Sequence, residues 1–305
     1  MYNRFINSFK ATFVLNNIIH FFLSLILLTL LFCANKVDAE NKIISEIKIV
    51  NNVSELNDIL DKSDKKHLII WDVDKVLIVA IDRIFHPENI RNELPKKHAE
   101  AAISKYSVSK KQAKLLGSKI LLQRKIRLVE EELVTIIKKL QNNNIKTIAL
   151  TKLYTGTYGA IENMEDWRIE QLARFNIAFN KAFNDEFLIL NDLQAPGKHN
   201  PIFKHGILFT NEYTKGEVLG SFLDKINWCP DKIIFIDDLN KNLMSVKAEL
   251  QKRNISFLGI LYTAAERSPS KIDKNVVNMQ YNHLVKHEVW LSDIEAKMLI
   301  NQISR

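Results

Sequence analysis

The sequence predicts an α/β fold in which helices cover both faces of a parallel sheet, a three-layer, Rossmann-like arrangement. Short runs rich in Ile, Leu and Phe are apolar at every position, which is typical of strands that are buried on both faces. Segments with helical spacing follow several of these runs, and this alternation is typical of parallel strands joined by helices. The predicted strands are Ile44–Val50, His67–Trp71, Lys146–Leu150, Gly206–Thr210, Lys232–Ile236 and Phe257–Leu261.

Helical patterns lie between these runs. The predicted helices are Ser54–Lys62, Tyr158–Arg174, Lys215–Ile226 and Leu239–Lys252. Two short apolar pieces, Phe187–Leu190 and Ile202–Phe203, flank Pro196-Gly197, a turn-forming pair, and therefore predict a hairpin.

Residues 85–144 interrupt the alternation of strands and helices. They are highly charged, their apolar residues have helical spacing, and they contain no convincing strand. We therefore expect a helical cap insertion over the carboxyl edge of the sheet, between two parts of one core domain, residues 40–84 and 145–265. Residues 266–305 form a C-terminal tail whose packing the sequence leaves open.

The first forty residues have the pattern of an export signal. Only two charges, both positive, precede an apolar run from Ile18 to Ala34, and the small residues Val37-Asp38-Ala39 follow it. This pattern predicts a signal peptide over residues 1–39, cleaved near Ala39, and an exported protein that is periplasmic or secreted. The alternative is an uncleaved membrane anchor, because the apolar run is close to the minimum length of a membrane-spanning helix.

The composition excludes several classes of protein. With 47% hydrophobic and 26% charged residues the chain is neither disordered nor fibrous. Its formal charge of +8 could indicate an anionic partner. The predicted leader carries three basic residues and one acidic residue, however, so its removal lowers the charge to +6. The remaining basic clusters lie on predicted helices without a nucleic-acid-binding motif, and we expect no nucleic-acid partner.

Two pairs of aspartates follow predicted strands. Asp72 and Asp74 come directly after the run ending at Trp71, and Asp237 and Asp238 follow the run ending at Ile236. Either pair alone could equally cap a helix or form a turn. Together they place four carboxylates at the edge of the sheet where open α/β proteins bind ligands. Because nearby carboxylates repel one another, and because hard oxygen ligands suit Mg²⁺, the sequence predicts a magnesium site.

Two further residues occupy the same kind of position. Thr151 ends the predicted strand Lys146–Leu150, and Lys215 opens the helix after Gly206–Thr210. In this order, Asp72 and Asp74 with Val76, then Thr151, Lys215 and the Asp237-Asp238 pair, the chain resembles the four motifs of the haloacid dehalogenase-like superfamily. More narrowly, the forms Trp-Asp-Val-Asp, Ala-Leu-Thr and Phe-Ile-Asp-Asp resemble an uncharacterised family of exported proteins of this type from intracellular bacteria.

This resemblance implies a Mg²⁺-dependent phosphatase that hydrolyses phosphate monoesters through an aspartyl-phosphate intermediate. Asp72 would be the nucleophile, and Asp74 the general acid and base. The ion would be held by Asp72, the main-chain carbonyl of Asp74, Asp237 and Asp238. Thr151 would bind a phosphoryl oxygen, and Lys215 would stabilise the nucleophile and the transition state.

Several points stay open at the level of sequence. The four aspartates and Lys215 give a formal charge of −3, which a metal would offset before a phosphate approaches. We expect Lys75 and Lys152 to face solvent rather than substrate. The substrate would be a small-molecule or protein phosphate ester, and a membrane would be contacted only through an uncleaved leader. The alternatives are a phosphotransferase that uses the same site and a catalytically silent binding protein or secreted effector.

Overall fold

The computed structural model describes residues 43–193 and 199–304. The predicted signal peptide and the Pro196-Gly197 turn lie outside the described residues. One compact unit comprises residues 44–222 and those from 230 onward, and every side chain of the candidate site belongs to it. Within the described part of the chain, no helix has both the length and the apolar composition that a membrane span requires.

The strands confirm the predicted α/β architecture. They are β1 (Ser45–Val50), β2 (His67–Trp71), β3 (Ile78–Ala80), β4 (Ile126–Leu128), β5 (Lys146–Thr151), β6 (Phe187–Ile189), β7 (Ile202–Lys204), β8 (Ile207–Phe209), β9 (Lys232–Asp237) and β10 (Ser256–Tyr262). An eight-stranded sheet has the order β1-β10-β9-β2-β5-β8-β7-β6. Its first six strands are parallel. The last three strands pair antiparallel, so the expected hairpin is present as β6 and β7.

Helices flank this sheet, an arrangement consistent with a Rossmann-like fold. They are α1 (Val53–Leu60), α2 (Pro87–Arg91), α3 (Leu94–Lys105), α4 (Lys110–Gln123), α5 (Glu132–Asn142), α6 (Met164–Ala173), α7 (Lys215–Lys225), α8 (Asn240–Lys252), α9 (Lys274–His287) and α10 (Asp293–Ile303). Helix α6 begins later than the Tyr158 start that the sequence predicts. Gly156 and Gly159 have positive φ, which a right-handed helix does not allow. The helix instead begins after Asn163, whose side chain caps it by accepting the Asp166 N–H.

The central strand β2 is buried on both faces, as its apolar run predicts. Ile69 and Trp71 pack in the main hydrophobic cluster with α1 and α5. Burial of these apolar side chains stabilises β2 and so helps to fix the position of its end. The indole N–H of Trp71 donates to Thr147 Oγ1 on the neighbouring strand at 2.8 Å, so even this polar atom is satisfied within the core.

The expected insertion differs from the structure at two places. Helix α5 lies within the 85–144 range, but its Leu133 and Ile137 belong to the main cluster under the sheet. Strand β4 also lies within that range and pairs antiparallel with β3. The helices between these two short strands are α2, α3 and α4. The sequence did not indicate β4, because three residues are too few for a periodic pattern.

The C-terminal tail packs against the insertion. A second hydrophobic cluster joins Phe85 and Leu116 of the insertion to Tyr281 and Trp290 of the tail. The Trp290 indole N–H donates to the buried Asp82 carboxylate at 2.9 Å, and the Asp293 N–H donates to the same carboxylate at 3.0 Å. The tail therefore completes a core that residues 81–125 would otherwise leave exposed.

Candidate functional site

The strand order creates a crevice at the carboxyl ends of β2 and β9. From β2 the chain continues to β5 and β8 on one side, and it then returns to β9 on the other side of β2. Such a reversal of strand order leaves a gap between diverging connections, where open α/β proteins bind ligands. Trp71 pairs with Ile236, so Asp72 and Asp237 leave adjacent strands at the same level.

Lys215 bridges two carboxylates in this crevice. Its Nζ lies 2.7 Å from Asp72 Oδ1 and 2.7 Å from Asp237 Oδ2. The Lys215 side chain is only 2% exposed, because it opens α7 beneath the end of the sheet. Asp237 is fixed further, since its Oδ1 accepts the Leu239 N–H at 2.8 Å and the Asn242 amide at 2.9 Å. The structure thus brings together three residues that the sequence predicts for one site.

Burial and like charges shift the pKa values of this cluster. Burial raises the pKa of Asp72 to about 6, with Lys215 opposing the shift and Asp237 adding to it. Burial and the neighbouring Asp72 raise the pKa of Asp238, while Lys75 opposes the shift. Burial lowers the pKa of Lys215, but the carboxylates of Asp237 and Asp72 outweigh it and the net shift is upward. Lys215 is therefore held as a cation, and its positive charge favours the ionised forms of Asp237 and Asp72 in return.

Lys75 is part of the site, and the expectation that it faces solvent is wrong. Its Nζ lies 3.0 Å from Asp238 Oδ2, and its side chain is 16% exposed. Lys75 has φ of +69°, and its N–H donates to the Ile78 carbonyl at 2.7 Å. This tight turn directs the lysine back over the sheet edge. Lys152, in contrast, is exposed as expected.

Asp74 does not face the Lys215 cluster with its carboxylate. Its Oδ2 accepts a hydrogen bond from Arg168 Nη2 at 2.7 Å, and Arg124 Nη2 lies 3.9 Å from its Oδ1. Burial raises the pKa of Asp74, but Arg168, Arg124 and Lys75 outweigh that effect and lower it. Asp74 is thus held as a carboxylate, with a side chain that is 40% exposed at the mouth of the site.

Sequence reasoning missed both arginines. Arg168 lies four residues after Met164 and four before Leu172, both buried, so a cation occupies the buried face of α6. That position was a usable signal, because a charged residue on a buried face normally has a partner. Arg124 directly follows α4 and has no comparable signal in the sequence.

Thr151 lies at the end of β5, the other neighbour of β2. It is buried, and Ala149 of the same strand pairs with Trp71. Thr151 is therefore on the same edge of the sheet as Asp72, one strand away from the Asp237 side. The sheet thus carries predicted site residues on three adjacent strands.

The carboxylates form a group that could hold a cation. One oxygen atom from each of Asp72, Asp237 and Asp238 lies within 4.8 Å of the others. Hard oxygen donors at this spacing suit Mg²⁺. The Asp74 carboxylate is not in this group.

The formal charge of the site differs from the sequence estimate of −3. Four aspartates are balanced by four cations, because Lys75, Arg124 and Arg168 join Lys215. The acidic half contains Asp72, Asp237 and Asp238, and the basic half contains the two arginines around Asp74. The site is therefore neutral in sum but strongly polarised.

Comparison with known proteins identifies the family. The family described as "Protein of unknown function (DUF2608)" matches residues 49–297, which include all of the site residues. The chain belongs to this family. It is 28% identical over 246 residues to an uncharacterized protein of Rickettsia prowazekii (strain Madrid E), covering 80% of this chain and 86% of that protein.

Two other relatives come from Rickettsia and Chlamydia. An uncharacterized protein of Rickettsia bellii is 25% identical over 241 residues, covering 75% of this chain and 81% of the relative. A protein of Chlamydia trachomatis named "Putative outer membrane protein" is 27% identical over 223 residues, covering 72% of this chain and 77% of the relative. No solved structure matches the chain significantly.

Proposed function

We propose that this DUF2608 protein is a Mg²⁺-dependent phosphatase of the haloacid dehalogenase-like type, which hydrolyses phosphate monoesters through a phosphorylated Asp72. The observation that carries the proposal is the position of the Asp72 carboxylate. It lies at the strand-order reversal, 2.7 Å from the buried Lys215 ammonium and beside the carboxylates of Asp237 and Asp238. A carboxylate so placed has a cation to stabilise developing negative charge and oxygen ligands for a metal.

In the first step, an Asp72 oxygen would form a bond to phosphorus. The bond from phosphorus to the ester oxygen breaks, and its electron pair leaves with that oxygen, which takes up a proton from Asp74 or from water. In the second step, a water oxygen attacks phosphorus and the bond to Asp72 breaks. The water proton passes to a base, and inorganic phosphate and the Asp72 carboxylate are regenerated.

Asp74 is suited to the base half of the expected acid–base role. Arg168 and Arg124 favour its carboxylate form, and the carboxylate is what accepts a proton from the attacking water. The acid half, protonation of the leaving oxygen, requires the form that the arginines disfavour. Lys215 would stabilise negative charge on Asp72 and on the transferring group, and Thr151 would donate a hydrogen bond to a phosphoryl oxygen.

The three clustered carboxylates fit a divalent cation. Asp72 and Asp238 each have one oxygen engaged by a lysine, through Lys215 and Lys75. Asp72, Asp237 and Asp238 would hold Mg²⁺, with the Asp74 carbonyl as the further ligand that the resemblance implies. Bound Mg²⁺ would neutralise negative charge on the phosphoryl oxygens.

The helices between β3 and β4 would act as a cap. Strand β3 begins four residues after Asp74, so the insertion starts beside the site, and Arg124 at its end reaches the Asp74 carboxylate. Export would place the activity in the periplasm or outside the cell. The leader pattern supports this, and the outer-membrane name of the chlamydial relative is compatible with it.

A turnover assay tests the proposal. We expect the purified chain without its leader, residues 40–305, to hydrolyse p-nitrophenyl phosphate with Mg²⁺ and to stop when the metal is chelated. Asp72→Asn should lower turnover by at least about 10³-fold, because it removes the nucleophile. The exposed Asp58→Asn is the matched control and should retain full activity.

Activity that survives Asp72→Asn or chelation would refute the mechanism. No turnover across a broad panel of phosphate esters would favour a binding protein.

N-terminal sequencing of the exported protein tests the leader, since cleavage near Ala39 predicts a mature chain that begins at about residue 40.

A further inference from the structure

Two arginines converge on one carboxylate beside the proposed phosphoryl site. Arg168 extends from α6, and Arg124 extends from the end of α4 in the insertion. Their side chains are 2% and 15% exposed. Asp74 is the carboxylate that both approach, so two largely buried positive charges share one negative partner.

The hydrogen-bonding capacity of the two guanidinium groups is only partly used. Arg168 donates from Nη2 to Asp74 and from Nη1 to Gln171 Oε1 at 2.6 Å. Arg124 Nη2 is 3.9 Å from Asp74, which is beyond hydrogen-bond distance. The buried Nε atoms of both arginines donate to no described residue. A guanidinium has five N–H donors, and leaving buried donors unpaired is costly, so this corner is built for a further acceptor.

Two other charged groups lie near the arginines, and each has contacts of its own. Asp82 acts on Arg124, but its carboxylate already accepts from the Trp290 indole and the Asp293 N–H. Lys75 adds positive charge near Asp74 and is itself paired with Asp238. Once Asp82 and Asp238 are counted, the formal charges here balance, so the case for a further acceptor depends on the unpaired buried Nε atoms of the two arginines.

We propose that Arg124 and Arg168 form a second anion-binding subsite, which accepts an oxyanion group that the substrate carries in addition to its scissile phosphate. This inference deepens the phosphatase proposal and rests on it for the identity of the scissile group. The subsite borders solvent at Asp74, whose side chain is 40% exposed, and Arg124 beside it is 15% exposed. Planar guanidinium groups match the geometry of carboxylate and phosphate oxygens.

The substrate class follows from this arrangement. It is a phosphate monoester with a second anionic group, rather than a phosphate ester of a neutral alcohol. A charge-assisted hydrogen bond to a buried arginine corresponds to about 10- to 100-fold in affinity, so the second group should decide which esters bind.

Calorimetric titration of two probes tests the subsite. The probes are 3-phosphoglycerate, which carries a carboxylate, and glycerol 3-phosphate, which does not. Both are titrated with Mg²⁺ into the Asp72→Asn protein, so that no turnover occurs during the measurement. We expect 3-phosphoglycerate to bind about 10- to 100-fold more tightly. Adding Arg168→Gln or Arg124→Gln should bring the two affinities close to each other.

The controls separate the subsite from a general loss of structure. Arg174→Gln changes an exposed arginine at the end of the same helix and should leave the preference intact. Arg124 is less buried than Arg168, so Arg124→Gln still tests the subsite if Arg168→Gln fails to fold. Circular dichroism of each variant identifies such a failure.

Three outcomes would overturn the inference: equal affinity for the two probes, a preference that survives both arginine substitutions, or no binding of either probe. Failure of the phosphatase proposal has a different readout, namely wild-type protein that releases no phosphate from an aryl ester. The affinity ratio is measured without turnover, so the two failures are distinguishable.

Discussion

Lys215→Met provides the sharpest test of how the site is stabilised. The substitution keeps much of the length of the side chain but removes the ammonium that lies 2.7 Å from both Asp72 and Asp237. The two carboxylates then remain buried, with oxygens within 4.8 Å of each other and no lysine between them. At an effective dielectric constant of about 20, two unit charges at that distance repel by roughly 3.5 kcal/mol.

A second estimate of the loss of stability agrees with this repulsion energy. Removal of one partner from a buried ion pair typically costs about 3–5 kcal/mol of unfolding free energy. We therefore expect Lys215→Met to lower the free energy of unfolding by about 3–4 kcal/mol at pH 7 without divalent metal. Part of that loss would be avoided if Asp72, whose pKa is raised to about 6, takes up a proton in the variant.

Urea denaturation followed by tryptophan fluorescence measures the effect. Lys66→Met is the matched control, because its ammonium is exposed and lies 3.6 Å from Asp231 at the surface. That substitution should change the unfolding free energy by less than about 1 kcal/mol. A loss below about 1 kcal/mol for Lys215→Met would refute the reasoning, because it would mean that the buried carboxylates do not depend on the lysine.

Three further predictions concern the metal group and the second core. Mg²⁺ at 100 times its dissociation constant should stabilise the wild type by about 2.7 kcal/mol in thermal unfolding, and Asp238→Asn should remove most of this gain. Equal stabilisation of the wild type and the variant would exclude Asp238 as a ligand. Asn242→Ala removes two hydrogen bonds to Asp237 and should cost about 1–3 kcal/mol in urea denaturation, whereas no loss would show that Asp237 is held without it. Trp290→Ala should cost about 3–5 kcal/mol by the same assay, and a cost below about 1 kcal/mol would contradict the packing of the tail.

The parts of the site that the sequence could predict are those carried by the sheet. Parallel strands buried on both faces have continuous apolar runs, so the ends of β2 and β9 can be located to within one residue. Once the ends are known, Asp72 and Asp237 must lie on the same edge of the sheet, because carboxyl ends of parallel strands share one edge. Lys215 opens the helix after β8, and its contact with both carboxylates depends on the strand order, which the sequence does not predict.

The remaining parts depend on long-range packing that leaves no local pattern. Arg124 and Arg168 reach Asp74 from elements about 50 and 94 residues further along the chain, and no motif spacing connects them. Lys75 turns toward Asp238 because its backbone has a positive φ, which is uncommon for a lysine and cannot be inferred from its side chain. The sequence also does not indicate how the tail packs, because the residues that α9 contacts lie in an insertion far away along the chain.

The cluster around Trp290 has a mechanical consequence. Two short strands, β3 and β4, connect the insertion to the sheet, and on their own they would let it pivot about a narrow base. Trp290 and Tyr281 attach the same insertion to a segment that leaves the sheet through β10, which makes a third connection. Any displacement of α2, α3 and α4 relative to the sheet must therefore carry α9 with it or break that cluster. A tether placed at the C-terminus would thus restrain the insertion from a point far along the chain.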